Sequence, residues 1–165
     1  MTQQDGHADD SPEAITDALL RASRLLVAMS AQSIAAIDET ITIPQFRTLV
    51  VLSTQGSLNL AALAGLLDVQ PSTTGRMVDR LVTTGLIDRR PNPHSRREVV
   101  IELTAHGRAV VESVTRRRRA EIARVVDRMQ PADRLGLVRA LTAFSAAGNE
   151  PPTPPLCTDA APQIP

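Results

Sequence analysis

At Gly85 the apolar residues stop recurring every three or four positions and begin to alternate, and this switch constrains the chain more than any other feature. Residues 86–90 and 98–103 read as two short strands, the second rich in β-branched side chains. Between them, Pro91, Asn92, Pro93 and His94 through Arg97 form a proline-bearing loop, so the pair is a hairpin with a basic tip. Two short helices come directly before it. One spans residues 60–67, the turn is Asp68-Val69-Gln70, and the next opens with Pro71 at its first position and stops at Gly85.

Longer helices flank this unit. Ile15, Leu19, Ala22, Leu26, Met29 and Ser33 step by four and three along a helix expected from Pro12 to about Ile37, with Ser11 as its N-cap. Another helix starts near Pro44 and stops at Gly56. Thr104 caps a long fifth helix running to about Met129, and Pro131 opens a sixth that ends at Gly148. Residues 1–11 are polar and acidic, and residues 149–165 hold six prolines, so both ends are expected to be disordered. The expectation is one mainly α domain over 12–147 with a small β-hairpin. It is a winged helix-turn-helix core at about 44–104, between dimerisation helices at about 12–37 and 104–147.

Formal net charge is zero, with 18 basic residues, all arginine, against 18 acidic ones. The distribution is uneven. Residues 1–40 carry two Arg against seven acids, and residues 76–134 carry fourteen Arg against eight. A basic middle suits an anionic partner, although arginines also solvate helix faces. Phe46 and Phe144 are the only aromatic residues, which excludes base stacking on an aromatic platform. Cys157 alone can form neither an internal disulfide nor a thiolate zinc site. His7, His94 and His106 lack metal-ligand spacing, and no glycine-rich phosphate loop or paired catalytic residues occur, so neither an enzyme nor a metal or other cofactor is expected. No apolar run approaches membrane-spanning length, and the acidic start is unlike a signal peptide, so a cytoplasmic protein is expected.

In a winged helix-turn-helix the second helix of the pair can enter the major groove of double-stranded DNA, its N-terminal residues against base edges. Ser72, Thr73 and Arg76 are exposed there, with Arg80 a turn further on, while Val78, Leu81 and Val82 supply the buried face. Arg96 and Arg97 at the hairpin tip can reach phosphates or the adjacent minor groove. Each piece has a second reading. Ser72 and Thr73 suit any helix start, Arg80 follows Asp79 and can serve an internal ion pair, and Arg96 and Arg97 can keep a tip soluble. Gly75 is expected to serve close helix packing. Arg116 to Arg119 cover more than one helical turn and read mainly as solvated or interhelical ion pairs, with phosphate contact the alternative.

The run Leu81-Val82-Thr83-Thr84-Gly85-Leu86, the loop ending in Arg97, and Leu103-Thr104-Ala105-His106-Gly107 together resemble the multiple-antibiotic-resistance regulator (MarR) family, over roughly residues 12–147. The resemblance implies a homodimeric transcriptional regulator, often a repressor of a palindromic operator released by a small anionic or phenolic effector. It carries DNA contacts onto Ser72, Thr73, Arg76 and Arg97. It implies an effector pocket between the dimerisation helices and the core, near Phe46, Arg47, Arg21, Arg24 and Met29, although Phe46 and Met29 read more readily as ordinary core. Ser95 departs from the family wing, where an aspartate holds the wing arginine, so Arg96 can share the work of Arg97. Cys157 lies far from the first helix, so peroxide sensing by the family's cysteine is not expected. The rival class is a winged-helix protein-interaction module, whose binding would depend little on salt.

Overall fold

The computed structural model describes residues 11–92 and 95–148, with every side chain among them except those of residues 95–98. Its elements run α1 (Pro12–Ala35), α2 (Ile43–Gln55), α3 (Leu60–Leu67), α4 (Pro71–Thr83), β1 (Ile87–Asn92), β2 (Ser95–Leu103), α5 (Ala105–Asp127), α6 (Pro131–Arg134) and α7 (Leu137–Ala147). The expected disordered ends, with Cys157, lie outside the described residues.

Local chemistry sets most helix starts. Ser11 Oγ accepts from the Ala14 N–H at 3.1 Å, Asn59 Oδ1 from Ala62 at 2.8 Å, and Thr42 forms a reciprocal capping box with Gln45. At the end of α4, Gly85 takes φ +71° and the Leu86 N–H bonds back to the Leu81 carbonyl at 3.0 Å. This six-to-one closure turns the chain from helix into β1 while keeping Leu81 and Leu86 buried together. Thr104 Oγ1 donates to the Gly85 carbonyl at 2.7 Å and accepts from the Gly107 N–H at 3.0 Å, so it also ties the start of α5 to that turn. A Cβ at Gly107 would lie 2.0 Å from the Leu86 carbonyl oxygen, which leaves room for glycine alone. The two sequence elements on either side of the hairpin therefore describe one joint.

β1 and β2 pair antiparallel from Ile87 opposite Leu103 to Pro91 opposite Val99, then shift register so that Asn92 faces Ser95. The strands are longer than the sequence suggests. Pro91, Asn92 and residues 95–97 belong to the hairpin rather than to a loop, because Pro91 sits on the outer strand of a two-stranded sheet, where a missing N–H is tolerated. Leu58, in the link before α3, bridges Ile101 on the opposite edge of β2 through two backbone bonds of 3.0 and 2.7 Å. The core lies under this sheet: Leu49, Leu63, Val78, Leu81, Leu86, Ile87, Ile101 and Val114 are all buried.

Other expectations change as well. α1 ends at Ala35 and α5 at Asp127, each two residues early. The sixth helix is two pieces, because Gly136 adopts φ +78° and Leu135 is extended between α6 and α7. Arg134 anchors that break by donating to the carbonyls of Met129 (2.9 Å from Nη2) and Asp127 (3.2 Å) at the end of α5. Gly75 meets only Leu60 Cδ2, at 3.9 Å from a built Cβ, so close packing does not require a glycine there. Among the described residues nothing covers the N-terminal half of α1 or nearly all of α7, with Leu20 53% and Val138 80% exposed.

Candidate nucleic-acid interface

α4 presents two chemically distinct faces. Thr74, Val78 and Leu81 are buried; Val82, expected with them, is half-buried. Ser72, Thr73, Arg76 and Arg80 are exposed. Thr73, Arg76 and Arg80 share one shallow cleft of about 300 Å³ with Thr42, Pro44 and Gln45 at the start of α2. The fold thus gathers two guanidiniums and several hydroxyl or amide groups beside the N-terminus of α2. That arrangement offers hydrogen-bond donors and positive charge to an anionic backbone and to base edges. Ser72 is exposed on α4 but lies outside this cleft.

The hairpin is fastened to α4 by an ion pair. Arg89 Nη2 on β1 donates to Asp79 Oδ1 on α4 at 2.6 Å. Asp79 therefore engages the hairpin, which settles its partner and leaves Arg80 to the cleft. Arg90 Nε is held by Glu102 Oε1 at 2.7 Å and lies 3.4 Å from Asp88 Oδ2, so the second arginine at the hairpin base is bound within the sheet. Arg96 and Arg97 lie at the distal end of β2 by backbone position; their side chains are outside those described. Sequence reasoning missed the Arg89–Asp79 tie. Its sign was a single acid on an otherwise basic helix face, ten residues before an arginine on the next element.

The residues expected around an effector pocket separate into two places. Phe46 and Arg47 line a cleft of about 420 Å³ with Ser30 and Ile34 of α1, Val50 and Val51 of α2, and Arg118 of α5. Met29 is buried and faces a different groove, with Leu25, Glu121 and Arg128. Arg21 and Arg24 line neither. Among the four consecutive arginines, Arg116 lies 4.0 Å from Glu112 and Arg117 lies 3.9 Å from Glu121, as an ion-pair stretch requires. Arg118 behaves differently, with a buried Nε that has no hydrogen-bond partner among the described residues. Before α2, the Asp38 carboxylate accepts from the Thr40 hydroxyl at 2.7 Å and the Thr40 N–H at 2.9 Å. These bonds hold its pKa below the ordinary carboxylate range, with a smaller contribution from His106.

A helix with one basic face, fastened to a two-stranded hairpin and framed by long helices, defines a winged helix-turn-helix protein. Residues 41–99 match the sequence profile of the MarR family. The crystal structure of RV1404 from Mycobacterium tuberculosis is 66% identical, covers 89% of this chain and 100% of that one, and superposes with a TM-score of 0.81. BpsR from Bordetella bronchiseptica is 28% identical, covering 79% of this chain and 98% of that one, with a TM-score of 0.60. The multiple antibiotic resistance protein MarR of Salmonella typhimurium is 36% identical over 77 residues, 47% of this chain and 54% of that protein. The match thus spans about half the length of that curated relative. The chain belongs to the MarR family. No helix among the described residues is long and apolar enough to cross a membrane.

Proposed function

We propose that this chain is a sequence-specific double-stranded DNA-binding transcriptional regulator, not an enzyme, and that it acts as a homodimer on a palindromic operator. The observation that carries the reading is the single exposed face of α4 bearing Thr73, Arg76 and Arg80, opposite a face buried in the core. Ser72 completes the helix start, and Arg96 and Arg97 reach the backbone or minor groove from the hairpin. The uncovered apolar surface of α1 and α7 supports the dimer, since wrapping it against a second copy removes it from water and aligns two reading helices on two half-sites.

The finer reading is a repressor released by a small anionic or phenolic effector. DNA binding by BpsR is regulated by 6-hydroxynicotinic acid, and a Pseudomonas putida relative 34% identical over 79 residues is the repressor NicR. The cleft carrying Phe46 and Arg47 is the effector site in this reading; Arg21 and Met29 have no part in that cleft.

Fluorescence anisotropy of wild type and Arg97→Ala on DNA from the gene's own upstream region tests the reading. Affinity should fall steeply with salt, with a slope near −0.9 per phosphate neutralised, survive a scrambled competitor and weaken in the variant. Weak binding that is indistinguishable between duplexes and insensitive to salt would favour a protein-interaction module instead.

A further inference from the structure

Of the α5 arginine run, the surface ion pairs account for Arg116 and Arg117, and of the other two Arg118 alone has a buried nitrogen. Its Nε–H is buried without a hydrogen-bond partner among the described residues, and its side chain forms part of the wall of the 420 Å³ cleft between α1, α2 and α5. A buried cationic donor with no acceptor is unfavourable, and charge-assisted bonds to carboxylates are the strongest way to satisfy one. Arg47, the other cation on that wall, already has an interaction partner. Arg118 therefore offers this cleft an anion position.

Half of the remaining wall is aliphatic, namely Ile34, Ile43, Val50, Val51 and Leu66, and Ser30, Thr54 and Gln55 add polar groups to it. Its single ring, Phe46, is only 8% exposed because it packs in the core. A planar aromatic ligand gains from ring faces it can stack upon, whereas a flexible hydrocarbon chain needs only apolar area. The volume falls within the roughly 300–1,000 Å³ of small-molecule sites.

We infer that this cleft binds an aliphatic monocarboxylate of medium chain length, with its carboxylate on Arg118 Nε and its chain along Ile34, Val50, Val51 and Leu66. The inference rests on the proposed effector reading and narrows it, from small anionic or phenolic compounds to one acid class with a named anchor.

The probe is octanoate, titrated into the full chain below its micellar range and followed by thermal shift. Benzoate supplies the aromatic acid and octanol the uncharged chain. Octanoate is expected to raise the thermal midpoint, with benzoate and octanol each weaker by about tenfold or more; Arg118→Gln is expected to weaken octanoate by a similar factor, and Arg118→Lys by less. Equal octanoate binding by wild type and Arg118→Gln would overturn the inference, as would benzoate binding as tightly as octanoate, or no octanoate binding. If Arg118→Gln fails to fold by circular dichroism, Arg118→Lys and the three-ligand comparison on wild type decide. Anisotropy on operator DNA, with and without each acid, separates the two readings. Octanoate that binds but leaves DNA affinity unchanged upholds the site and removes the effector role. Benzoate that releases DNA where octanoate does not upholds the effector role and overturns the acid class.

Discussion

The winged core and the outer helical frame are built from similar residues yet meet water very differently. In the core, Leu49, Leu63, Val78 and Leu81 are no more than 1% exposed, and the hairpin, α4 and the start of α5 are joined through one turn. In the frame, Leu20, Val27, Val138 and Phe144 are all more than half exposed. Sequence hydrophobicity alone does not distinguish the two. The core completes itself within one chain, while the frame carries an apolar surface that the described residues do not cover, so the two regions should respond differently to mutation.

The largest expected effect tests that contrast directly. Leu81→Ala empties a fully buried site and should cost about 2–5 kcal/mol in urea denaturation, equally at low and high protein concentration. Phe144→Ala should change the stability of the separated chain by no more than about 0.5 kcal/mol but weaken self-association, seen as a lost concentration dependence of the midpoint and by sedimentation. A concentration-independent loss for Phe144→Ala would mean that α7 serves its own core.

Next comes the tie between α4 and the hairpin. Arg89 and Asp79 are half exposed, so their pair should contribute no more than about 1 kcal/mol to stability. Its consequence lies in geometry, since it fixes the hairpin against the basic face of α4. Asp79→Asn therefore gives a test by sign. If Asp79 is merely an acid facing DNA, removing its charge raises affinity; if it positions the hairpin, affinity falls, by about three- to tenfold. Anisotropy on operator DNA should report the fall.

A smaller change of opposite sign comes from Gly75 on α4. An added methyl would touch only Leu60 at ordinary van der Waals distance, and the helical backbone carries no positive φ. Gly75→Ala should therefore stabilise by about 0.5–1 kcal/mol in thermal or urea unfolding. Loss of stability would show that the α3–α4 interface is tighter than its distances indicate.

The order of helices and hairpin was legible because caps and stops are local. Ser11, Gly85 and Thr104 each sit at a helix end closed by a bond within a few residues, Pro71 opens α4 through its fixed φ, and their positions in the chain announce them. The exposed face of α4 was legible from the period of Val78 and Leu81. What spacing could not supply was long-range. The Leu58–Ile101 bridge joins residues 43 positions apart, and the Arg89–Asp79 pair depends on how the hairpin folds back over α4. The break at Gly136 was missed because an isolated glycine in an apolar helical pattern does not say whether it will be carried through or used at positive φ. The pocket residues divided for a similar reason: Met29 and Phe46 both read as apolar helix positions, and only the packing of α1 on α2 and α5 decides which cleft each faces.

The smallest expected effect concerns the joint between frame and core. Asp38 lies in the turn from α1 to α2, where its carboxylate receives both bonds from Thr40. Because those bonds favour the charged form, the folded pKa lies below the unfolded one. The stabilisation is therefore complete above the unfolded pKa, near 3.8, and disappears as pH falls through the lower folded value. The thermal midpoints of wild type and Asp38→Ala should differ by a constant small amount from pH 7 to pH 5 and converge below about pH 4. The gap should be small because the carboxylate is only half-buried and solvent screens its interactions. A gap that persists undiminished to pH 3 would mean that Asp38 acts through the shape of the turn and not through its charge. The joint would then resemble the core, where packing decides.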